Sequence, residues 1–85
     1  MKNYHVKVKY APNIALEILE HEFQFTVTYE LSFTKFNVMY CFRDISELKK
    51  LVMRQLSRSE DVLKSDLTSD TETVIKNLRK MLRKL

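Results

Sequence analysis

Apolar and polar residues alternate along most of the N-terminal half of the chain. The pattern is most regular between residues 22 and 33, where six apolar side chains are interleaved with polar ones. Because successive side chains of a strand point to opposite faces of a sheet, this segment is predicted to be a long strand with one apolar face. Shorter alternating runs at residues 4–10 and 36–42 predict two further strands.

The last two of these strands are predicted to form a hairpin. A two-residue loop at 34–35 would place Phe33 opposite Phe36 and Tyr29 opposite Tyr40, with both apolar sets on one face. Thr-Lys is poorly suited to the positive φ angles of such a tight turn, so a longer loop with an even number of residues is the alternative. Either loop keeps the apolar side chains on the same face.

The segment between the first two strands, residues 13–20, fits two interpretations. As a helix it would be capped by Asn13, and as a strand it would alternate apolar and polar positions as far as Ile18. No turn residue separates Glu20 from Glu22, which disfavours two consecutive antiparallel strands. We therefore expect a short helix here.

From Asp44 onward the apolar period becomes that of a helix. Asp44 begins a capping pattern, and the first helix is predicted to run to about Ser57. Residues 59–67 fit either a second short helix or a loop. Ser69 begins another capping box, and the final helix follows it. Its apolar stripe consists of Val74, Ile75, Leu78, Met81, Leu82 and Leu85.

Strands followed by helices predict an α+β fold. We expect an antiparallel sheet of about three strands, in the order β-(short α)-β-β-α-α, covered on one face by the C-terminal helices. Residues 1–85 are predicted to form a single domain, with a β-rich layer over 1–43 and a helical layer over 44–85, because a chain of 85 residues is too short for two domains.

The composition excludes several classes of catalytic and cofactor site. The chain has no glycine, which P-loops and dinucleotide-binding turns need so that backbone amides can approach phosphate closely. His5 and His21 have no partner at a recurring metal-ligand spacing, and neither lies in a nucleophile motif. We expect no catalytic residue, no metal and no cofactor.

The single cysteine and the apolar runs bear on location. Cys41 cannot form an internal disulfide, and it is predicted to be a half-buried small hydrophobe. No apolar run approaches the length of a membrane span, and the charged N-terminus does not fit a signal peptide. The expected location is a reducing cytoplasm, away from any membrane.

Cations dominate the end of the chain, although the net charge is only +4. The candidate contacts on the last helix are Lys76, Arg79, Lys80, Arg83 and Lys84. The preceding helix adds Lys49, Lys50, Arg54 and Arg58, which would extend the same patch if the two faces align. Such a group is either a solvated helix face, favoured near a helix C-terminus by the macrodipole, or a footprint for an acidic partner.

These features lead to the hypothesis of a small non-enzymatic protein that binds another protein. A compact, glycine-free chain without a catalytic motif is what one expects of an inhibitor or accessory factor from a phage or other mobile element. The alternative is a nucleic-acid-binding regulator that uses the basic final helix. Two further surfaces are candidates: the apolar stripe of that helix for a homodimer, and the strand with Gln24, Thr26 and Thr28 as an exposed sheet edge.

Overall fold

The computed structural model describes residues 6–30, 34–65 and 70–85 of the chain. Its four-stranded antiparallel sheet keeps the order of the sequence, and two helices follow it. The strands are β1 (Val6–Ala11), β2 (Ile14–Ile18), β3 (Phe23–Glu30) and β4 (Lys35–Phe42), and the helices are α1 (Leu48–Ser65) and α2 (Thr71–Lys84). The predicted α+β class and the helical cover on one sheet face are confirmed, with one strand more than expected.

The additional strand is β2, so the short helix expected over residues 13–20 is wrong. β2 lies between β1 and β3, with Leu16 opposite both Val8 and Phe25. Pairing on both sides gives hydrogen-bond partners to the backbone N–H and C=O groups of β2, and it buries the alternating apolar residues. These contributions outweigh a weak local preference for helix. The turn that seemed to be missing forms without glycine, because the Leu19 amide donates to the Glu22 carbonyl at 2.9 Å.

The hairpin of β3 and β4 has the predicted parity but a different register. Glu30 lies opposite Lys35, so residues 31–34 connect the strands and the longer even-numbered loop is correct. Tyr40 therefore lies opposite Phe25 rather than Tyr29, and their rings stack with centroids 5.9 Å apart. The proposed partner Phe33 lies outside the described residues. A loop with two residues and a loop with four residues both place the apolar side chains of β3 and β4 on the same face of the sheet. The predicted parity was therefore correct, and only the predicted register was wrong.

The core lies between the helices and the face of the sheet that carries the apolar residues. Phe25 and Val27 at the centre of β3 are fully buried, as are Val52 of α1 and Leu78 of α2. Apolar burial is the main favourable term in folding, so these contacts hold the two layers together. The other buried apolar residues are Ile14, Leu16, Tyr29, Phe42, Leu48, Val74, Ile75 and Met81.

Helix α1 begins as the capping pattern predicts and continues beyond the predicted end. The Asp44 carboxylate accepts the Ser46 amide at 3.0 Å, and this hydrogen bond lowers the pKa of Asp44. A 3₁₀ turn (Ile45–Glu47) leads from there into α1. The predicted end at Ser57 is wrong, because α1 continues to Ser65. Ser59 is buried within this continuation, and its hydroxyl donates to the Gln55 carbonyl at 2.8 Å.

A directed chain of hydrogen bonds joins α1 to the sheet. Tyr40 donates to Gln55 Oε1 at 2.6 Å, and Gln55 Nε2 donates to the Tyr29 hydroxyl at 2.5 Å. The Tyr29 hydroxyl contacts Ser59 Oγ. Since the single hydroxyl hydrogen of Ser59 goes to its own helix, Tyr29 is the donor in that contact. The polar groups of buried Gln55 and Ser59 are thus paired within the core.

Helix α2 is attached to the end of β3 by Asp70. The Asp70 carboxylate accepts the Glu30 amide at 2.9 Å, and the Asp70 amide donates to the Glu30 carbonyl at 3.2 Å. Asp70 is the N-cap residue of α2, but its side chain bonds the strand rather than the first helical turn. The capping residue predicted from sequence, Ser69, lies outside the described residues.

Candidate functional site on helix α2

The five cations predicted on the last helix all lie on its solvent side. The residues that α2 buries are Thr71, Val74, Ile75, Leu78 and Met81. The positions between them on the opposite face are exposed, and they carry the cations because α2 has 3.6 residues per turn. We call this group the basic ridge; it consists of Lys76, Arg79, Lys80, Arg83 and Lys84.

Two grooves border the basic ridge. The larger, of about 650 Å³, lies towards α1 and is lined by Lys76, Arg79 and Arg83 together with Glu60 and Glu72. The smaller, of about 240 Å³, lies towards β1 and is lined by Tyr10, Asn77, Lys80, Met81, Arg83 and Lys84. The ridge is therefore a raised, positively charged strip with a depression along each side.

Acidic side chains meet the ridge along its border with α1. Arg79 is within 3.3 Å of the Glu60 carboxylate, and both side chains are about half exposed, at 58% and 46%. Such an exposed pair contributes little to folding stability. Glu72 lies in the first turn of α2, and no acid follows it along the chain. The ridge thus presents a cationic centre with carboxylates along one side.

The four candidate cations of α1, Lys49, Lys50, Arg54 and Arg58, are exposed, but they do not all lie beside the ridge. Gln55 bonds the sheet at β4, whereas Glu60 reaches α2, so the two flanks of α1 face different neighbours. Arg58 is two positions from Glu60 and lies on the other flank, together with Arg54. The predicted continuous patch therefore does not form at these residues. Lys49 and Lys50 lie in the first turn of α1, ~15 Å along the helix from Glu60.

The chemically reactive side chains are dispersed. Cys41 is exposed on the polar face of the sheet, so its predicted half-burial is wrong. His21 is exposed in the turn after β2, 3.7 Å from the Glu20 carboxylate, and His5 lies outside the described residues. Across residues 6–30, 34–65 and 70–85, no three His, Cys, Asp or Glu side chains are placed to share a metal ion.

The sheet edges differ from the one proposed from sequence. β3 is paired with β2 and β4, so Gln24, Thr26 and Thr28 lie inside the sheet and not at an edge. The edge strands are β1 and β4. On β1, Val6 and Val8 are 46% and 37% exposed. Their alternation is visible in the sequence but their exposure is not, because exposure depends on which strand lies outermost and where the helices end.

The apolar stripe of α2 is used within the chain. Val74 and Leu78 are fully buried against the chain's own sheet, so this stripe is not available to pair with a second copy. None of the helices in the described ranges is long and apolar enough to span a bilayer. Comparison with family models, with curated proteins and with solved structures finds no match to this chain.

Proposed function

We propose that this chain is a small non-enzymatic protein that binds another protein through the basic ridge, as an inhibitor or accessory factor. The observation that supports the proposal is the uniform character of the exposed face of α2. From residue 76 to residue 84, every cation of the helix faces solvent, while its apolar residues are committed to the core. A charged, preformed helix face steers and orients an oppositely charged partner.

The border of the ridge favours a protein partner over nucleic acid. Glu60 and Glu72 line the same groove as Lys76, Arg79 and Arg83. A phosphate backbone is uniformly negative and would be repelled by these carboxylates, whereas a protein surface can offer cations to them and acids to the ridge. Exposed Cys41 fits the proposal of a reducing, cytoplasmic location, in which a free surface thiol persists.

A nucleic-acid-binding regulator is the second candidate. The observation in its favour is charge density, because five cations occupy the nine positions from 76 to 84 and Arg79 is the one among them with an ion pair in the described residues. Contacts of this kind bind phosphates without reading sequence, and their affinity falls steeply with salt.

The test compares two neutralised variants with the unmodified chain. The ridge variant carries Lys76→Gln, Lys80→Gln and Arg83→Gln, and the control carries Lys49→Gln, Lys50→Gln and Arg54→Gln on α1. Both lose the same charge from exposed helical positions. Each tagged chain is used to capture proteins from a nuclease-treated lysate of its natural host. The affinity of any captured protein is then measured with purified components.

We expect the ridge variant to bind the captured protein ~10–100-fold more weakly, corresponding to three exposed ion pairs, while the α1 variant binds normally. Equal binding by all three chains would contradict a role for the ridge. A duplex of ~20 base pairs, titrated at ~50 and ~200 mM salt, tests the second candidate. Tight, salt-sensitive binding that the ridge variant loses, without any protein partner, would favour the nucleic-acid function.

A further inference from the structure

Strand β1 is an edge strand with an apolar face that the helices leave exposed. Val6 and Val8 lie opposite Ile18 and Leu16 of β2, so they belong to the face of the sheet on which the helices pack. They are nevertheless 46% and 37% exposed, whereas Leu16 is 4% exposed. No strand of the described ranges pairs with the outer side of β1. With respect to the described residues, this edge therefore offers unpaired backbone groups together with apolar side chains.

Cations lie on both sides of this edge. Lys7 and Lys9 are exposed and point to the sheet face opposite Val6 and Val8, since side chains alternate along a strand. Over the helical face, the groove beside Tyr10 is lined by Lys80, Arg83 and Lys84 of the basic ridge. Glu17, opposite Lys7 on β2, is the one acid on that strand, and it offsets part of this charge.

We propose that β1 accepts an extended segment of the partner protein whose apolar and acidic residues alternate. The segment would add a strand to the sheet, place its apolar side chains beside Val6 and Val8, and place its carboxylates beside Lys7 and Lys9. Backbone pairing supplies affinity in this kind of recognition, and alternate side chains supply selectivity. The proposal rests on the proposed function, because it specifies the chemistry of the protein that the chain binds.

The charges argue against a second copy of the chain as the occupant. If two β1 strands paired antiparallel with their helices on the same side, lysines would lie opposite lysines, because Lys7 and Lys9 share one face. Like charges directly opposite each other destabilise a strand pair. An acidic segment replaces this repulsion with attraction while making the same backbone hydrogen bonds.

The test uses two synthetic peptides with the same composition and charge. In the first, four Glu residues alternate with three Val residues; in the second, the four Glu residues precede the three Val residues. Each is titrated into the full-length, ¹⁵N-labelled chain while backbone amide shifts are followed. We expect the alternating peptide to bind at least ~10-fold more tightly than the block peptide. We also expect it to change the amide chemical shifts of residues 6–11.

Reversing the charges of β1 distinguishes strand addition from a general attraction of the acidic peptide to cations on the protein. The variant with Lys7→Glu and Lys9→Glu should bind the alternating acidic peptide ~10-fold more weakly and should bind a peptide of alternating Lys and Val instead. The control, with Lys49→Glu and Lys50→Glu on α1, should keep the preference of the unmodified chain. Equal affinity for the alternating and block peptides, or amide shifts confined to α2, would overturn the proposal.

The two proposals fail in different ways. If the ridge variant loses the natural protein partner but the alternating peptide shows no preference for β1, the strand-addition proposal is wrong and the proposed function stands. If the peptide binds β1 but neutralising the ridge leaves the natural partner bound, the assignment of the ridge is wrong and the edge remains a binding site.

Discussion

The two edge strands of the sheet have opposite relations to the helices. β4 is covered by α1: Phe42 is buried, Val38 and Tyr40 are partly buried, and the Tyr40 hydroxyl is bonded to Gln55. β1 is bordered by α2 at Tyr10, and Tyr10 and Ala11 are partly buried, whereas Val6 and Val8 remain exposed. The helical layer is thus displaced towards one side of the sheet. The apolar face of β4 is thus more deeply buried than that of β1, where Val6 and Val8 are open to solvent.

Lysines protect the uncovered edge against non-specific pairing. Exposed edge strands are prone to join other chains, and natural proteins commonly place lysine on them to prevent this. Lys7 and Lys9 occupy the face of β1 away from the helices. In the strand-addition proposal, the charges that discourage self-association are the same ones that attract an acidic strand.

The largest expected difference between the edges follows from removing an aromatic side chain. Phe42→Ala should destabilise the fold by ~3–5 kcal/mol, because it opens a cavity beside Phe23, whose ring stacks on Phe42 with centroids 5.4 Å apart. Val6→Ala at the other edge should cost less than ~1 kcal/mol, since Val6 is already 46% exposed. Urea denaturation measures both. Similar losses of unfolding free energy in the two variants would show that the helices cover the two edge strands equally.

A smaller difference should separate two tyrosines. Tyr40→Phe removes the donor to Gln55 Oε1, and we expect a loss of ~0.5–1.5 kcal/mol. Tyr10→Phe is the matched change on β1, where the hydroxyl has no hydrogen-bond partner among the described residues, and it should be neutral within ~0.5 kcal/mol. Thermal and urea unfolding should agree. A larger loss of unfolding free energy for Tyr10→Phe than for Tyr40→Phe would show that β1, and not β4, is the edge strand that contributes more to stability.

The smallest effect concerns Asp44, in the turn that leads from β4 into the helices. Its hydrogen bond from the Ser46 amide lowers the folded-state pKa, so the carboxylate stabilises the fold above its unfolded pKa. This contribution should be lost as the pH falls through the lower, folded-state pKa. The side chain is exposed, so the change should be slight, and NMR titration of the Ser46 amide is the sensitive measurement. Asp44→Asn keeps an oxygen acceptor and should abolish the titration without removing the cap.

The sequence predicted the fold class because the alternation and the helical periods are local signals. Three strands, the start of the first helix and the parity of the β3–β4 hairpin could all be inferred in this way. For β2 the local signals left helix and strand open and the helix was expected, because the pairing on both sides that stabilises the strand is not a local property. The continuation of α1 past Ser57 was also missed, since it depends on Ser59 meeting Tyr29, which is thirty positions away along the chain.

The candidate site was predictable where one helix defines it. The basic ridge follows from the period of α2 alone, so all five cations were identified. Whether the α1 cations Arg54 and Arg58 would extend the ridge stayed open, because the relative rotation of two helices is set by their packing. The exposed edge of β1 was missed for a related reason: the sequence places Val6 and Val8 on an apolar face, but only the strand order and the helix positions leave that face open.

The hydrogen-bond chain between α1 and the sheet has a mechanical consequence. Apolar burial is non-directional, so it fixes the position of a helix on a sheet less strictly than paired hydrogen-bond donors and acceptors do. Moving α1 by a single turn, ~5.4 Å, would bring only one of Gln55 and Ser59 beside Tyr29, break the other hydrogen bond and leave a polar group unpaired in the core, at a cost of ~1–3 kcal/mol. The hydrogen bonds that link Tyr40, Gln55, Tyr29 and Ser59 therefore fix the position of α1 along its own axis.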